Sequence, residues 1–172
     1  MEQRTHRMGI LMNISELYDM QRKLDKRICK EHGLEGMNLI SFKILALQVE
    51  LGELANETRC FKFWSNSNPS PGEVILEEYV DCLHFILSIG LETGLTDINL
   101  VKIDNDNNLT DQFQNIFTRV AAFQHEPTLD NYEVLFAHFL LLGSKLGFTE
   151  REVYLAYLHK NRVNHQRQDE GY

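Results

Sequence analysis

Long apolar runs are absent from this chain of 172 residues. A helix that crosses a bilayer needs about 18 or more consecutive apolar residues, and the most apolar stretch, 83–91, is interrupted by His84, Ser88 and Gly90. The apolar residues at 8–12 are too few for the core of a signal peptide. We therefore predict a soluble, cytoplasmic protein.

Cysteine and proline are also scarce, with three of each. An odd cysteine count without a Cys-x-x-Cys pair argues against a disulfide framework and favours reduced thiols. The prolines, at 69, 71 and 127, lie between stretches of helical periodicity, and the alternation typical of strands is nowhere sustained. These patterns predict an all-α protein.

Basic residues are in the minority, 17 against 25 acidic ones, so the net charge is −8. Such a chain repels a polyanion at long range, and we therefore predict no nucleic-acid partner. A small anionic ligand remains compatible with this charge, because a bound metal ion reverses the local sign.

The apolar periodicity predicts a bundle of about six helices in one domain. The predicted ranges are 14–31, 38–59, 73–93, 110–123, 129–146 and 150–167. The third helix is apolar over much of its circumference, which is typical of a central helix or of one shared with a second subunit.

Two acidic pairs on consecutive helices are candidate metal ligands. Glu50 and Glu53 are three residues apart on the second helix, as are Glu78 and Asp81 on the third, and both pairs border buried stripes. Two like charges 4 Å apart repel by about 4 kcal/mol, which is large against a domain stability of about 5–15 kcal/mol. Convergence of the four therefore requires cations, and oxygen ligands favour Mg²⁺ or Mn²⁺.

Two other interpretations of these acids stay open. The carboxylates could line a solvated face and pair with Lys43, Lys62 or Arg59. A di-iron centre would instead need Glu-x-x-His motifs, to which Asp81 and His84 provide the one near match.

Two further segments suggest contacts to a nucleotide. Trp64 and Lys62 lie in an aromatic loop, where an indole could stack on a base and an ammonium could meet a phosphate, although the aromatic residues could equally close the core. Lys160, Asn164 and Arg167 share one face of the last helix. That stripe suits a sugar–polyphosphate, or simply places cations at a helix C-terminus.

Together these segments resemble the dimeric, all-α dUTP pyrophosphatases (dUTPases), within the MazG-like nucleotide pyrophosphohydrolases. The matching motifs are Gln21-x-x-Leu24-Asp25, Glu50-Leu51-Gly52-Glu53, Cys60-Phe61-Lys62-Phe63-Trp64-Ser65, Glu77-Glu78-Tyr79-Val80-Asp81 and Lys160-Asn161-x-x-Asn164-x-x-Arg167. The resemblance predicts a single domain over residues 12–172, with residues 1–11 as an extension outside it.

The resemblance implies a role for each matching residue. Glu50, Glu53, Glu78 and Asp81 would bind Mg²⁺, with Mn²⁺ as a substitute, and Glu50 or Glu53 would activate the attacking water. Gln21 and Trp64 would hold the uracil, and Asp25 stands in the same base-binding motif where relatives can carry Asn. Asn164 would contact the deoxyribose or base edge, and the phosphates would meet Lys62, Lys160, Arg167 and Tyr172.

The implied reaction is hydrolysis of dUTP to dUMP and pyrophosphate by a metal-activated water, with dUDP as a candidate second substrate. The resemblance also implies a homodimer that dimerises through its helices. Two alternatives stay open: a MazG-like pyrophosphatase of other nucleotides such as dCTP, and a helical interaction module without enzymatic activity.

Overall fold

The computed structural model describes residues 13–171, so the predicted extension 1–11 and the terminal Tyr172 lie outside it. Over that range the chain forms six α-helices without a strand. They are α1 (Ile14–Glu31), α2 (Ile40–Thr58), α3 (Gly72–Thr93), α4 (Leu109–His125), α5 (Leu129–Lys145) and α6 (Glu150–Asp169). The all-α prediction is confirmed. None of the helices in this range is both long and apolar enough to span a membrane.

Local capping signals set several of the helix ends. The Asn13 side chain accepts a hydrogen bond from the Glu16 amide at the start of α1, and Thr149 and Glu152 form a complete capping box at the start of α6. The third helix ends at Gly94, whose φ of 73° is a left-handed conformation that favours glycine. These short-range interactions explain why the helix boundaries agree with the sequence prediction.

The third helix is the centre of the bundle. It packs against α1, α2, α5 and α6, and its apolar side chains Val80, Leu83, Leu87 and Ile89 are at most 1% exposed. These side chains are therefore buried within one subunit, as expected of a central helix.

The segment of α3 that carries the acidic residues is held by close packing with α5. The Tyr79 ring is stacked on Phe139, with centroids 4.3 Å apart, and its hydroxyl donates a hydrogen bond to the Phe139 carbonyl. A Cβ at Gly143 would lie 2.5 Å from the Tyr79 hydroxyl oxygen, so only glycine fits there. The backbone beside Glu78 is thus fixed by the core.

The second helix has two apolar faces. Its inner face, including Leu47 and Leu51, is fully buried. Its outer face leaves Phe42, Leu45 and Val49 exposed at 68%, 61% and 50%. We refer to these three residues as the outer stripe of α2. They lie at positions i, i+3 and i+7, which places them on one side of the helix.

Candidate active site

Three carboxylates from α2 and α3 converge. One oxygen each from Glu50, Glu78 and Asp81 lies within 4.8 Å of the other two, and all three residues are partly buried. Glu53, one turn from Glu50, is exposed and lies outside this group of three, although its charge raises the pKa of both Glu50 and Glu78. The structure thus brings together the two helices that carry the predicted acidic pairs.

The electrostatics of this cluster fit a divalent cation. Burial, followed by the charges of Asp81, Glu53 and Glu78, raises the pKa of Glu50 to about 7. Burial and the charge of Asp81 likewise raise the pKa of Glu78. Ionising the whole cluster is therefore unfavourable without a counter-charge, and a set of carboxylate oxygens is the donor set that hard divalent cations prefer.

We predict that this cluster makes the stability of the metal-free protein depend on pH. Because the folded-state pKa of Glu50 is raised from 4.5 to about 7, its stabilising contribution is complete below about 4.5 and is lost as pH rises through 7. In thermal melts of EDTA-treated protein, the melting temperature of wild type should fall relative to that of Glu50→Gln as the pH rises through this window. A constant difference between the two proteins would contradict the prediction.

Lys160 provides a cation for the cluster. Its Nζ lies 2.7 Å from Asp81 Oδ2 and 2.9 Å from Glu77 Oε1. Burial lowers the pKa of Lys160, but the two hydrogen bonds outweigh it and raise the pKa overall. The sequence predicts a phosphate contact for Lys160, whereas in this structure its ammonium pairs with a predicted metal ligand.

A cleft of about 330 Å³ extends from the carboxylates between α1, α3 and α6. Its volume lies within the usual range for small-molecule sites, about 300–1,000 Å³. The predicted site residues that line it are Gln21, Asp25, Glu50, Asp81, Lys160, Asn164 and Arg167. Residues predicted from separate helices are therefore brought into one cleft.

A hydrogen-bonded network occupies the α1 wall of the cleft. Gln21 donates from Nε2 to Asp25 Oδ1 at 2.8 Å, and its Oε1 accepts a hydrogen bond from the Tyr157 hydroxyl at 2.9 Å. Asp25 Oδ2 accepts a hydrogen bond from the Ser88 hydroxyl. Gln21 is only 4% exposed, so this network orients its side chain before any ligand binds.

His84 and Ser88 are among the lining residues that were not predicted as site residues. The sequence places His84 only as a near match to a di-iron motif, but the structure places it in the cleft wall. Asp81, His84 and Ser88 are spaced i, i+3 and i+7 and so share one face of α3. That spacing was the sequence feature from which His84 and Ser88 could have been predicted to lie beside Asp81.

The aromatic loop lies apart from the cleft. Trp64 is 65% exposed and contacts the Phe63 ring edge-on, so it does not close the core. The Lys62 ammonium donates a hydrogen bond to Asn56 Oδ1. Neither Trp64 nor Lys62 belongs to the cleft wall formed by the described part of the chain.

Comparison with known proteins identifies the family of the chain. The model of a family described as dUTPase matches residues 13–172, a range that includes every helix of the bundle. A search of curated proteins found no match. The family match agrees with the converging carboxylates and with the nucleotide-sized cleft beside them, and it confirms the resemblance predicted from the sequence motifs. The chain belongs to the dUTPase family.

Proposed function

We propose that this dUTPase converts dUTP to dUMP and pyrophosphate in the cleft between α1, α3 and α6. The observation that carries the proposal is the position of the carboxylate cluster: Glu50 and Asp81 line the same cleft as Gln21 and Asn164. Acidic residues for cations and polar residues for a nucleoside therefore share one cavity. The catalytic domain is proposed to be residues 12–172.

The proposed cofactor is Mg²⁺, with Mn²⁺ as a substitute. Glu50, Glu78 and Asp81 would hold it, and the adjacent Glu53 would complete the ligand set. When bound, such cations neutralise the triphosphate and favour ionisation of a nearby water. A carboxylate-only donor set favours these ions over Zn²⁺, which prefers nitrogen and sulfur.

The side chains have separate proposed tasks. Glu50 takes the proton of the attacking water, because a carboxylate beside the cation can act as the general base. Lys160 and Arg167 neutralise phosphates, while Gln21 and Asn164 hold the nucleoside. Asp25 contributes to base recognition by fixing the orientation of Gln21.

The aromatic loop has a conditional place in this proposal. Because Trp64 and Lys62 lie apart from the cleft, stacking on uracil and contact with phosphate require loop 59–71 to close on the bound nucleotide. Tyr172, a further proposed phosphate contact, lies outside the described residues.

A nucleotide panel tests this function. Pyrophosphate release and the nucleotide product would be measured for dUTP, dUDP, dCTP, dTTP, dATP and dGTP, each with Mg²⁺, Mn²⁺ or EDTA. We expect dUMP from dUTP, loss of turnover in EDTA, and a preference for dUTP over dCTP of at least about 100-fold. Equal cleavage of all the triphosphates would indicate a broader pyrophosphatase, and inactivity toward all of them would favour an interaction module.

We further propose that the protein is a homodimer that pairs through the outer stripe of α2. Three large apolar side chains on one helix face are costly to leave in water, and a two-fold axis lets one such face bury its own copy.

We also propose that the enzyme acts in the cytoplasm. Its net charge of −8 repels polyanions, and we therefore propose that it has no nucleic-acid partner.

Leu45→Glu is predicted to weaken this dimer by at least about 100-fold, since it places an unpaired carboxylate at the centre of the contact. Sedimentation velocity over a concentration series would measure the shift to monomer. Leu155→Glu is the matched control, because Leu155 is 52% exposed but lies on α6. Equal sedimentation of both variants and wild type would contradict the proposed interface.

A further inference from the structure

His84 has a buried nitrogen without a hydrogen-bond partner among the described residues. The side chain lines the cleft, the residue is 5% exposed, and Nε2 is the unpaired atom. The ring itself is held firmly, because it is stacked on Tyr157 with centroids 4.2 Å apart. Burying a polar atom unpaired is unfavourable, so a partner supplied by a ligand would remove that cost.

A chain of hydrogen bonds determines which ring nitrogen of His84 carries the proton. The Asp25 carboxylate, 3.5 Å from the Lys43 ammonium, only accepts hydrogen bonds, so the Gln21 amide must turn its NH₂ group toward it. The Gln21 oxygen then faces His84 Nδ1 at 2.7 Å. Because that oxygen only accepts, Nδ1 carries the hydrogen.

The remaining nitrogen of His84 is consequently an acceptor. Burial, reinforced by the charge of Lys160, lowers the pKa of His84 to about 3, so the imidazole is neutral at physiological pH. With the proton on Nδ1, Nε2 presents a bare lone pair. A ligand atom that pairs with Nε2 must therefore be a hydrogen-bond donor.

The nucleoside half of dUTP offers two such donors, the imide N3–H of uracil and the 3′-hydroxyl of deoxyribose. We propose that His84 Nε2 accepts a hydrogen bond from one of these groups and that His84 is thereby a specificity-determining residue. His84 lies one turn along the same face of α3 from the carboxylate Asp81. This inference rests on the proposed placement of the nucleotide in the cleft.

The two possible donors predict different discrimination. If N3–H is the donor, cytosine is rejected, because its N3 carries a lone pair that would face the lone pair of Nε2. If the 3′-hydroxyl is the donor, a 2′,3′-dideoxynucleotide is rejected. In both cases a site built to bond a donor penalises an analogue that lacks it.

A binding cycle with His84→Phe separates these possibilities. Phenylalanine preserves an aromatic ring against Tyr157, but it removes both the acceptor Nε2 and the Nδ1–H that donates to Gln21. Calorimetry would give the affinities of wild type and variant for dUMP, dCMP and 2′,3′-dideoxyuridine monophosphate. We expect dUMP to bind about 10–100-fold more weakly to the variant, and the wild-type penalty for one of the two analogues to shrink by a similar factor. If both penalties are unchanged, the proposal is wrong.

Nitrogen NMR of wild-type protein provides a second test that does not depend on folding of the variant. We expect a protonated Nδ1 and an unprotonated Nε2 in the free protein, with the Nε2 resonance shifting when dUMP binds. A protonated Nε2 would overturn the inference. Failure of wild type to bind dUMP at all would instead count against the proposed function, so the two failures are distinguishable.

Discussion

Glu50→Gln is expected to lower turnover of dUTP by about 10²–10⁴-fold, the usual contribution of a general base. Glutamine preserves the size of the side chain but cannot take a proton from water, and it is a weaker ligand for a hard cation. Pyrophosphate release at saturating dUTP and Mg²⁺ would measure the loss. Turnover within a few-fold of wild type would remove Glu50 from the proposed mechanism.

The same substitution should leave the fold intact. Because burial and the neighbouring carboxylates raise the pKa of Glu50, replacing its charge removes both the desolvation cost and the repulsion. EDTA-treated Glu50→Gln should therefore melt at or above the wild-type temperature at pH 8. Glu57→Gln is the matched control, since Glu57 is also partly buried on α2 but its carboxylate accepts a hydrogen bond from Ser70. We expect it to remain active, which would separate loss of the base from general disturbance of α2.

Lys160→Met is expected to have the second largest effect. The Lys160 and Asp81 side chains are only 10% and 17% exposed, so removal of the ammonium leaves a nearly buried carboxylate without its cation. Losses for broken buried pairs are typically about 3–5 kcal/mol. We expect about 3 kcal/mol in EDTA-treated protein, because the other partner, Glu77, is 61% exposed. Denaturant unfolding would measure the change.

Divalent cations should restore much of the stability lost in Lys160→Met. If the ammonium and a metal ion stabilise the same carboxylates, the variant should gain more stability from Mg²⁺ than wild type does. Lys145→Met provides the contrast, since Lys145 donates to the backbone carbonyls of Asn105 and Asn107. The stability lost in Lys145→Met should not be restored by Mg²⁺. Equal Mg²⁺ responses in wild type and Lys160→Met would contradict this account.

The sequence predicted most of what depends on short-range structure. Helices follow from apolar periodicity and have recognisable boundary signals, such as Asn13 and Thr149 where α1 and α6 begin and Gly94 where α3 ends. The meeting of α2 and α3 was also predictable, because one loop joins them and each carries acids at i, i+3 spacing. Interactions within a few helical turns, or between helices that follow each other in the chain, can be predicted from the spacing of residue types in the sequence.

The rest of the site depends on how distant helices are placed. Lys160 reaches Asp81 only because α6 packs across α3, and nothing in either segment specifies that crossing. The orientation of His84 depends on Gln21, which is 63 residues away in the chain. The exposure of individual side chains could not be predicted either. Trp64 is a large apolar residue of a type that also occurs in cores, yet it is 65% exposed.

The close fit between Tyr79 and Gly143 has a consequence for how this enzyme tolerates sequence change. A side chain at position 143 would clash with the ring of Tyr79, which follows Glu78 in the sequence. Moving Tyr79 would displace the backbone that positions the carboxylate cluster. An apparently silent site on α5, remote in sequence from every acid of the cluster, therefore limits the range of functional variants. Directed evolution of this scaffold would do best to leave that glycine untouched and to diversify the solvent side of α5.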